Sequence, residues 1–180
     1  MQAEDILAVI PPGPEDLDFD QIDCMATGPD VTIVDDFELL LEGGCPVLEI
    51  TGKDSKMIFY TESTLPLVCF QIKNIERYMG ITLTMTDDIG ESRVANFSTK
   101  SSIVTLDKNV INLPINIGEG WQYLCLDFRK LCNHGFGTNY SYCTEISVTG
   151  SCRLSKIFFE SREFSDAELP EYLRVCQKEA

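Results

Sequence analysis

Apolar and polar residues alternate strictly in Ile81-Thr82-Leu83-Thr84-Met85-Thr86. Successive side chains on a strand point to opposite faces, so Ile81, Leu83 and Met85 share one face and the threonines the other. One buried face and one wet face is the pattern of an antiparallel sheet. Further β-type runs occur at 47–50, 57–60, 67–72, 94–97, 103–106, 110–115, 121–126, 146–149 and 154–159, with a first strand at 32–34. Gly52-Lys53-Asp54-Ser55 and Asp87-Asp88-Ile89-Gly90 have the chemistry of hairpin turns. About ten short strands at this spacing predict an all-β fold, an antiparallel two-sheet β-sandwich of jelly-roll type. No period in the sequence points to a repeat architecture.

Helix is sparse, one or two short pieces. Residues 127–133 predict a short helix ended by Gly135. Ser165-Asp166-Ala167-Glu168 is a capping box, with Pro170 close behind it. Residues 171–178 predict a short terminal helix with Tyr172, Leu173 and Cys176 inward.

The first 44 residues differ from the rest, which divides the chain into an acidic N-terminal arm, 1–44, and a β-sandwich domain, 45–180. Pro11-Pro12-Gly13-Pro14 breaks any regular element. The arm is either free or lies on the body through Leu17, Phe19 and Ile22. Asp16-Leu17-Asp18-Phe19-Asp20 opens like a calcium loop, but Gln21 stands where such a loop needs Gly and Thr27 where it needs Glu. Calcium is not expected there.

Charge sharpens that division. The chain of 180 residues has a net charge of −15, from 14 Lys+Arg and 29 Asp+Glu. The first basic residue is Lys53; residues 1–52 carry 13 acids, and residues 53–180 are close to neutral at −2. Nucleic acid and anionic membrane surfaces need clustered Lys/Arg, so neither is an expected partner. Basic protein surfaces suit the arm better, unless its acids serve only solubility. No apolar run approaches the roughly 18 residues of a membrane-spanning helix. The apolar run 6–10 follows Glu4 and Asp5, unlike a secretory signal, so the expected setting is soluble and intracellular.

The eight cysteines are Cys24, Cys45, Cys69, Cys125, Cys132, Cys143, Cys152 and Cys176. None has the C-x-x-C spacing of a zinc knuckle or redox motif. Cys132 and His134, the only histidine, could share a metal but would need two further ligands. Cys69 and Cys125 sit in apolar runs and read as small core residues. No metal or cofactor is expected. The sequons at Asn96 and Asn139 have no use in a cytosolic protein.

No catalytic constellation stands out. There is no nucleophile elbow near His134, no phosphate loop, and Gly135-Phe136-Gly137 lacks the third glycine and the helix of a dinucleotide site. Asp87 and Asp88 are adjacent and should point apart rather than face across a cleft as a glycosidase pair does. Trp121 is either a core residue or, with Tyr123, a platform for sugar or peptide. Burial of both rings would remove that alternative, a carbohydrate- or peptide-binding module.

Several motifs recur in one order: Val47-Leu48-Glu49-Ile50, Leu65-Pro66, Ile72-Lys73-Asn74, Glu119-Gly120-Trp121-Gln122, Leu126-Asp127-Phe128, and Phe136-Gly137-Thr138-Asn139-Tyr140. They continue with Ser151-Cys152-Arg153-Leu154, Ile157-Phe158-Phe159, and the run from Arg162 through Pro170. Over roughly residues 45–175 the chain resembles the cilia- and flagella-associated protein 20 family. The resemblance implies a non-enzymatic β-sandwich of the axoneme and basal body, at the inner junction of doublet microtubules. Its implied partners are tubulin and a parkin co-regulated protein. The implied protein-binding residues are Arg153, Lys156, Arg162, Gly137, Thr138, Asn139 and Tyr140. One departure stands out: the family is basic and this chain acidic. Strict alternation would also put Arg153 and Lys156 on opposite faces, so with Arg162 they would form one patch only across a bulge or a strand end.

Overall fold

The computed structural model describes residues 5–11, 17–39 and 44–174, except the side chains of Glu76 and Arg77. Eleven strands run in chain order: β1 Ile6–Ile10, β2 Cys24–Thr27, β3 Val31–Asp36, β4 Cys45–Ile50, β5 Lys56–Ser63 and β6 Leu67–Asp87. They continue as β7 Ser92–Ser98, β8 Thr105–Asp107, β9 Val110–Pro114, β10 Trp121–Asp127 and β11 Tyr140–Glu160. Among the described residues no helix is long and apolar enough to cross a membrane.

The fold is all-β, a sandwich in which one hydrogen-bonded network links all eleven strands around a common core. Its spine is the antiparallel pair of β6 and β11, each 21 residues long. The sequence suggests two strands in each of these stretches, but no proline or turn interrupts either one. Instead the spine changes neighbours along its length. The first half of β6 takes β10 and the second half β7, while β11 takes β5, then β4, then β1. Gly150 marks the changeover on β11. Its φ of +84° belongs to the left-handed region, and an added Cβ would stand 2.3 Å from the Tyr78 carbonyl oxygen.

The turn at Gly52 differs from its predicted hairpin. β4 and β5 do not pair with each other; both add antiparallel to β11, one after the other along the same edge. The Asp87–Gly90 turn does close a hairpin, between β6 and β7. One pair, β7 with β9, is parallel, because β8 and its turn carry the chain back before β9 docks. The run 103–106 is shifted: β8 begins at Thr105, leaving Ile103 68% and Val104 59% exposed.

The predicted alternation in β6 holds. Ile81, Leu83 and Met85 are fully buried, each worth about 1.5–3 kcal/mol of apolar burial. Thr82 on the other face starts a polar ladder: its hydroxyl donates to Asn96 Oδ1, Asn96 Nδ2 to Asn112 Oδ1, and Asn112 Nδ2 to Thr105 Oγ1.

The predicted helix at 127 forms, α1 Phe128–Lys130, and widens into a π-type turn through Phe136. Asp127 caps it, accepting from the Arg129 and Lys130 N–H groups. It stops at Gly137, φ +69°, and not at Gly135. The Ser165 box closes as predicted, the Glu168 carboxylate accepting from Ser165 N and Oγ at 2.8 and 2.9 Å. It holds a turn, since Pro170 follows, and a three-residue 3₁₀ turn, Glu171–Leu173, comes next. Leu173 is buried and Tyr172 packs beside it; Cys176 and the remainder of the predicted terminal helix lie outside the described residues.

The described parts of the first 44 residues are built into the sheet. β1 pairs β11, β2 pairs β5 and β3 pairs β4. Leu17, Phe19 and Ile22 pack on the main core, the second of the two readings. Asp18 caps a short turn, accepting from Asp20 N and Gln21 Nε2; Asp16 lies outside the described residues.

β6, β10 and β11 are covered on both sides. Val68, Phe70, Leu154 and Ile157 face the main core, while Cys69 and Phe158 join a smaller cluster under Leu169 and Leu173.

Candidate functional site

The face under that smaller cluster carries two of the seven implied site residues, Arg153 and Lys156. Cross-strand register aligns Trp121 on β10, Lys73 on β6, Arg153 on β11 and Glu49 on β4 in one row. Asp36, at the end of β3, sits over this row and is only 1% exposed. Arg153 donates through Nη1 to Asp36 Oδ2 at 2.8 Å and through Nε to Glu49 Oε2 at 2.7 Å. Lys73 lies 3.5 Å from Asp36 and 2.8 Å from Glu38. The Trp121 indole N–H and the Glu38 backbone N–H both donate to Asp36 Oδ1.

Burial by itself would raise the Asp36 carboxyl. Hydrogen bonds from Arg153, Trp121 and the Glu38 backbone, with the Lys73 charge, outweigh it and hold the pKa at about 2. Bonds to Asp36 and Glu49 in turn push Arg153 up. Arg153 is thus committed within the chain. Three acids from the acidic first quarter (Asp36, Glu38 and Glu49) neutralise the body's own cations.

Alternation misplaces Lys156. Leu154 and Ile157 are three apart yet both enter the main core, because a register shift lies between Leu154 and Lys156. The extra residue returns Lys156 to the side of Arg153 and Phe158. The two cations nevertheless serve different segments. Lys156 donates to the Arg174 carbonyl, pinning the C-terminal cover to the sheet. Arg162, exposed beyond β11, donates to Glu168 Oε1 at 2.9 Å and lies 4.0 Å over the Phe164 ring.

The residues of the 137–140 turn are drawn together, but away from these cations. Asn139 donates from its backbone N and Nδ2 to both Asp88 oxygens, at 3.1 and 2.7 Å. The Tyr140 hydroxyl donates to the Ser63 carbonyl at 2.7 Å, and its ring stacks on Phe128 at 4.7 Å. Thr138 N closes the preceding turn on Cys132 O. Gly137 and Asn139 are exposed, and Thr138 and Tyr140 are half-buried.

Asp87 and Asp88 do diverge. Asp87 is buried, taking Arg93 Nε at 2.7 Å and two turn N–H groups, whereas Asp88 serves Asn139. Burial raises the Asp87 carboxyl, and the Arg93 and Glu91 backbone hydrogen bonds, with the Arg93 charge, together more than reverse it. Cys132 and His134 do not meet: the thiol points to Met85 Sδ at 3.6 Å and the imidazole is exposed. Of the two aromatic rings on the charged face, Trp121 is half-buried and tied to Asp36, and Tyr123 is 45% exposed.

Sequence reasoning missed one group. Cys69, Cys125 and Glu160 bring two thiols and a carboxylate oxygen within 4.8 Å of one another, the metal-type donor cluster among the described residues. The signal was the period of two: Cys69 alternates with Val68 and Phe70 and shares its face with Gln71, while Cys125 shares its face with Tyr123.

The sequence model of the CFA20 domain matches residues 48–177. The chain belongs to the CFA20 domain family. Two relatives named cilia- and flagella-associated protein 20, from Paramecium tetraurelia and Chlamydomonas reinhardtii, are each 26% identical over 133 residues, covering 69% of this chain and 70% of theirs. A Caenorhabditis elegans relative of the same name is 25% identical over 133 residues, covering 66% of that protein. Among solved structures, a family 30 carbohydrate-binding module of a Clostridium thermocellum cellulosomal cellulase aligns with a TM-score of 0.46 at 12% identity, covering 88% of this chain and 99% of that one. The CFA20 match spans the whole charged row, the 137–140 turn and the C-terminal cover.

Proposed function

We propose that the protein is a non-enzymatic structural component of the ciliary or flagellar axoneme. It stabilises or cross-links doublet microtubules near the inner junction, with tubulin and neighbours such as a parkin co-regulated protein as partners. The observation that carries this reading is the CFA20 match over most of the chain, with relatives named for cilia and flagella. The architecture supports it. A cross-linker must hold two surfaces in fixed relation, and the long β6–β11 spine, covered on both faces beside β10, gives a body that resists bending.

The implied contact residues divide by geometry. Arg153 and Lys156 act from inside, setting the shape of the charged face and the C-terminal cover. Arg162, Gly137 and Asn139 are the exposed members and form the proposed contact points. The acidic balance of the chain favours a basic neighbour over the acidic surface of tubulin as its electrostatic partner. A carbohydrate- or peptide-binding module retains Tyr123 as an exposed ring, but Trp121 is drawn into the Asp36 network and leaves no two-ring platform.

The test is localisation and retention. A tagged copy in a ciliated or flagellated cell should fractionate with the axoneme and co-sediment with doublet microtubules. Arg162→Gln combined with Asn139→Ala should reduce that retention without lowering Tm by more than a few degrees. A protein diffuse in cells that build cilia, with no axonemal fraction, would refute the reading.

A further inference from the structure

We propose that Cys69, Cys125 and Glu160 bind one zinc ion, tying β6, β10 and β11 together beneath the C-terminal cover. Cys69 and Cys125 are direct cross-strand partners on β6 and β10, and Glu160 enters from the end of β11. The three donor atoms lie within a few tenths of an ångström of the spacing zinc requires. Cys69 Sγ lies 3.4 Å from Cys125 Sγ and 3.2 Å from Glu160 Oε1, and Cys125 Sγ lies 3.9 Å from the same oxygen. A tetrahedral zinc ion with ordinary Zn–S and Zn–O bonds separates two thiolates by about 3.8 Å and a thiolate and carboxylate oxygen by about 3.6 Å. No strand has to move far for an ion to seat.

The surroundings also lack something. Glu160 is fully buried and its Oε2 makes no hydrogen bond of normal geometry. Gln71, two residues from Cys69 on the same face, is 2% exposed, and neither its amide oxygen nor its nitrogen has a partner. Leaving such groups buried and unpaired is costly. A dication answers the carboxylate, and a water completing the coordination would meet the amide. A disulfide between the two thiols would answer neither. Two thiols and a carboxylate select zinc over calcium or magnesium, which take oxygen ligands. Cys125 is half-buried and gives the ion its way in. Binding displaces the two thiol protons to solvent, with no change of oxidation state.

The experiment uses the full chain, purified under reducing conditions, stripped by chelator and dialysed against zinc. The expected result is one zinc per chain by elemental analysis. Cobalt in its place should show thiolate-to-metal charge-transfer absorption and the visible bands of a tetrahedral site. Cys125→Ser and Glu160→Gln should each weaken binding at least about tenfold, while Cys24→Ser, outside the cluster, leaves it unchanged. Should those variants fold poorly, thiol alkylation of the wild-type chain gives an independent readout: zinc should slow modification of the half-buried Cys125 but not of Cys24. Substoichiometric zinc, unchanged affinity in Cys125→Ser, no protection from alkylation, or a Cys69–Cys125 disulfide in the reduced preparation would each overturn the proposal. None of these outcomes depends on axonemal localisation.

Discussion

Replacing Asp36 by Asn tests the claim that this acid is spent on the body's own cations. The amide keeps an oxygen to accept from Trp121 and the Glu38 N–H, but its NH₂ group then meets Arg153 Nη1 and Lys73, donor against donor. Breaking a buried ion pair costs about 3–5 kcal/mol. Arg153 keeps Glu49 and Lys73 keeps Glu38, which brings the expected loss to roughly 2–3 kcal/mol. The pKa gives a similar figure: a carboxyl lowered from an ordinary value near 3.9 to about 2 corresponds to roughly 2.6 kcal/mol. For a chain of this size that lowers Tm by roughly 5–10 °C. The pH dependence has a definite sign. Because the folded pKa is depressed, the contribution is complete above the unfolded value, ~3.9, and disappears as pH falls through the folded value. Thermal and urea unfolding of wild type and Asp36→Asn should therefore show a wide gap at pH 7 that narrows from about pH 5 toward pH 2. A gap under about 0.5 kcal/mol at pH 7, or one of constant size down to the lowest pH at which both fold, would refute the reasoning.

Gly150→Ala should be severely destabilising, by more than about 2 kcal/mol, because the new Cβ meets the Tyr78 carbonyl and Met79 Cα and the residue is held at positive φ; a urea midpoint near that of wild type would contradict this. Tyr140→Phe removes the hydroxyl that serves the Ser63 and Leu65 carbonyls and should cost about 1–2 kcal/mol. Since that hydroxyl points into the fold, axonemal retention of Tyr140→Phe should equal wild type, and a loss of retention without a loss of stability would make Tyr140 a contact residue instead.

The legible parts of the fold were those decided by neighbours along the chain. The alternation from Ile81 to Thr86, the short helix after Asp127, the Ser165–Glu168 box and the Asp87–Gly90 turn each depend on residues a few positions apart, and each formed. The motifs from Val47 to Pro170 were legible as a family for the same reason, being carried in the order of the residues themselves. What failed depended on strands distant in sequence. The bulge after Leu154 reverses the face of Lys156, and nothing local announces it: the main core takes Ile157 at the cost of strict alternation. The Gly52 turn looks like any hairpin, yet its two strands find β11 before each other.

The sequence by itself determined an all-β chain of the CFA20 family with an acidic first quarter, since strand pattern, turn chemistry and charge are properties of short windows. Only the tertiary structure decided that Asp36 lies on Arg153, 117 positions away, and that Cys69 stands beside Cys125 and Glu160. Sheet pairing is a long-range choice made by burial and register, so the partner of a charge or a thiol is set by which strands become neighbours.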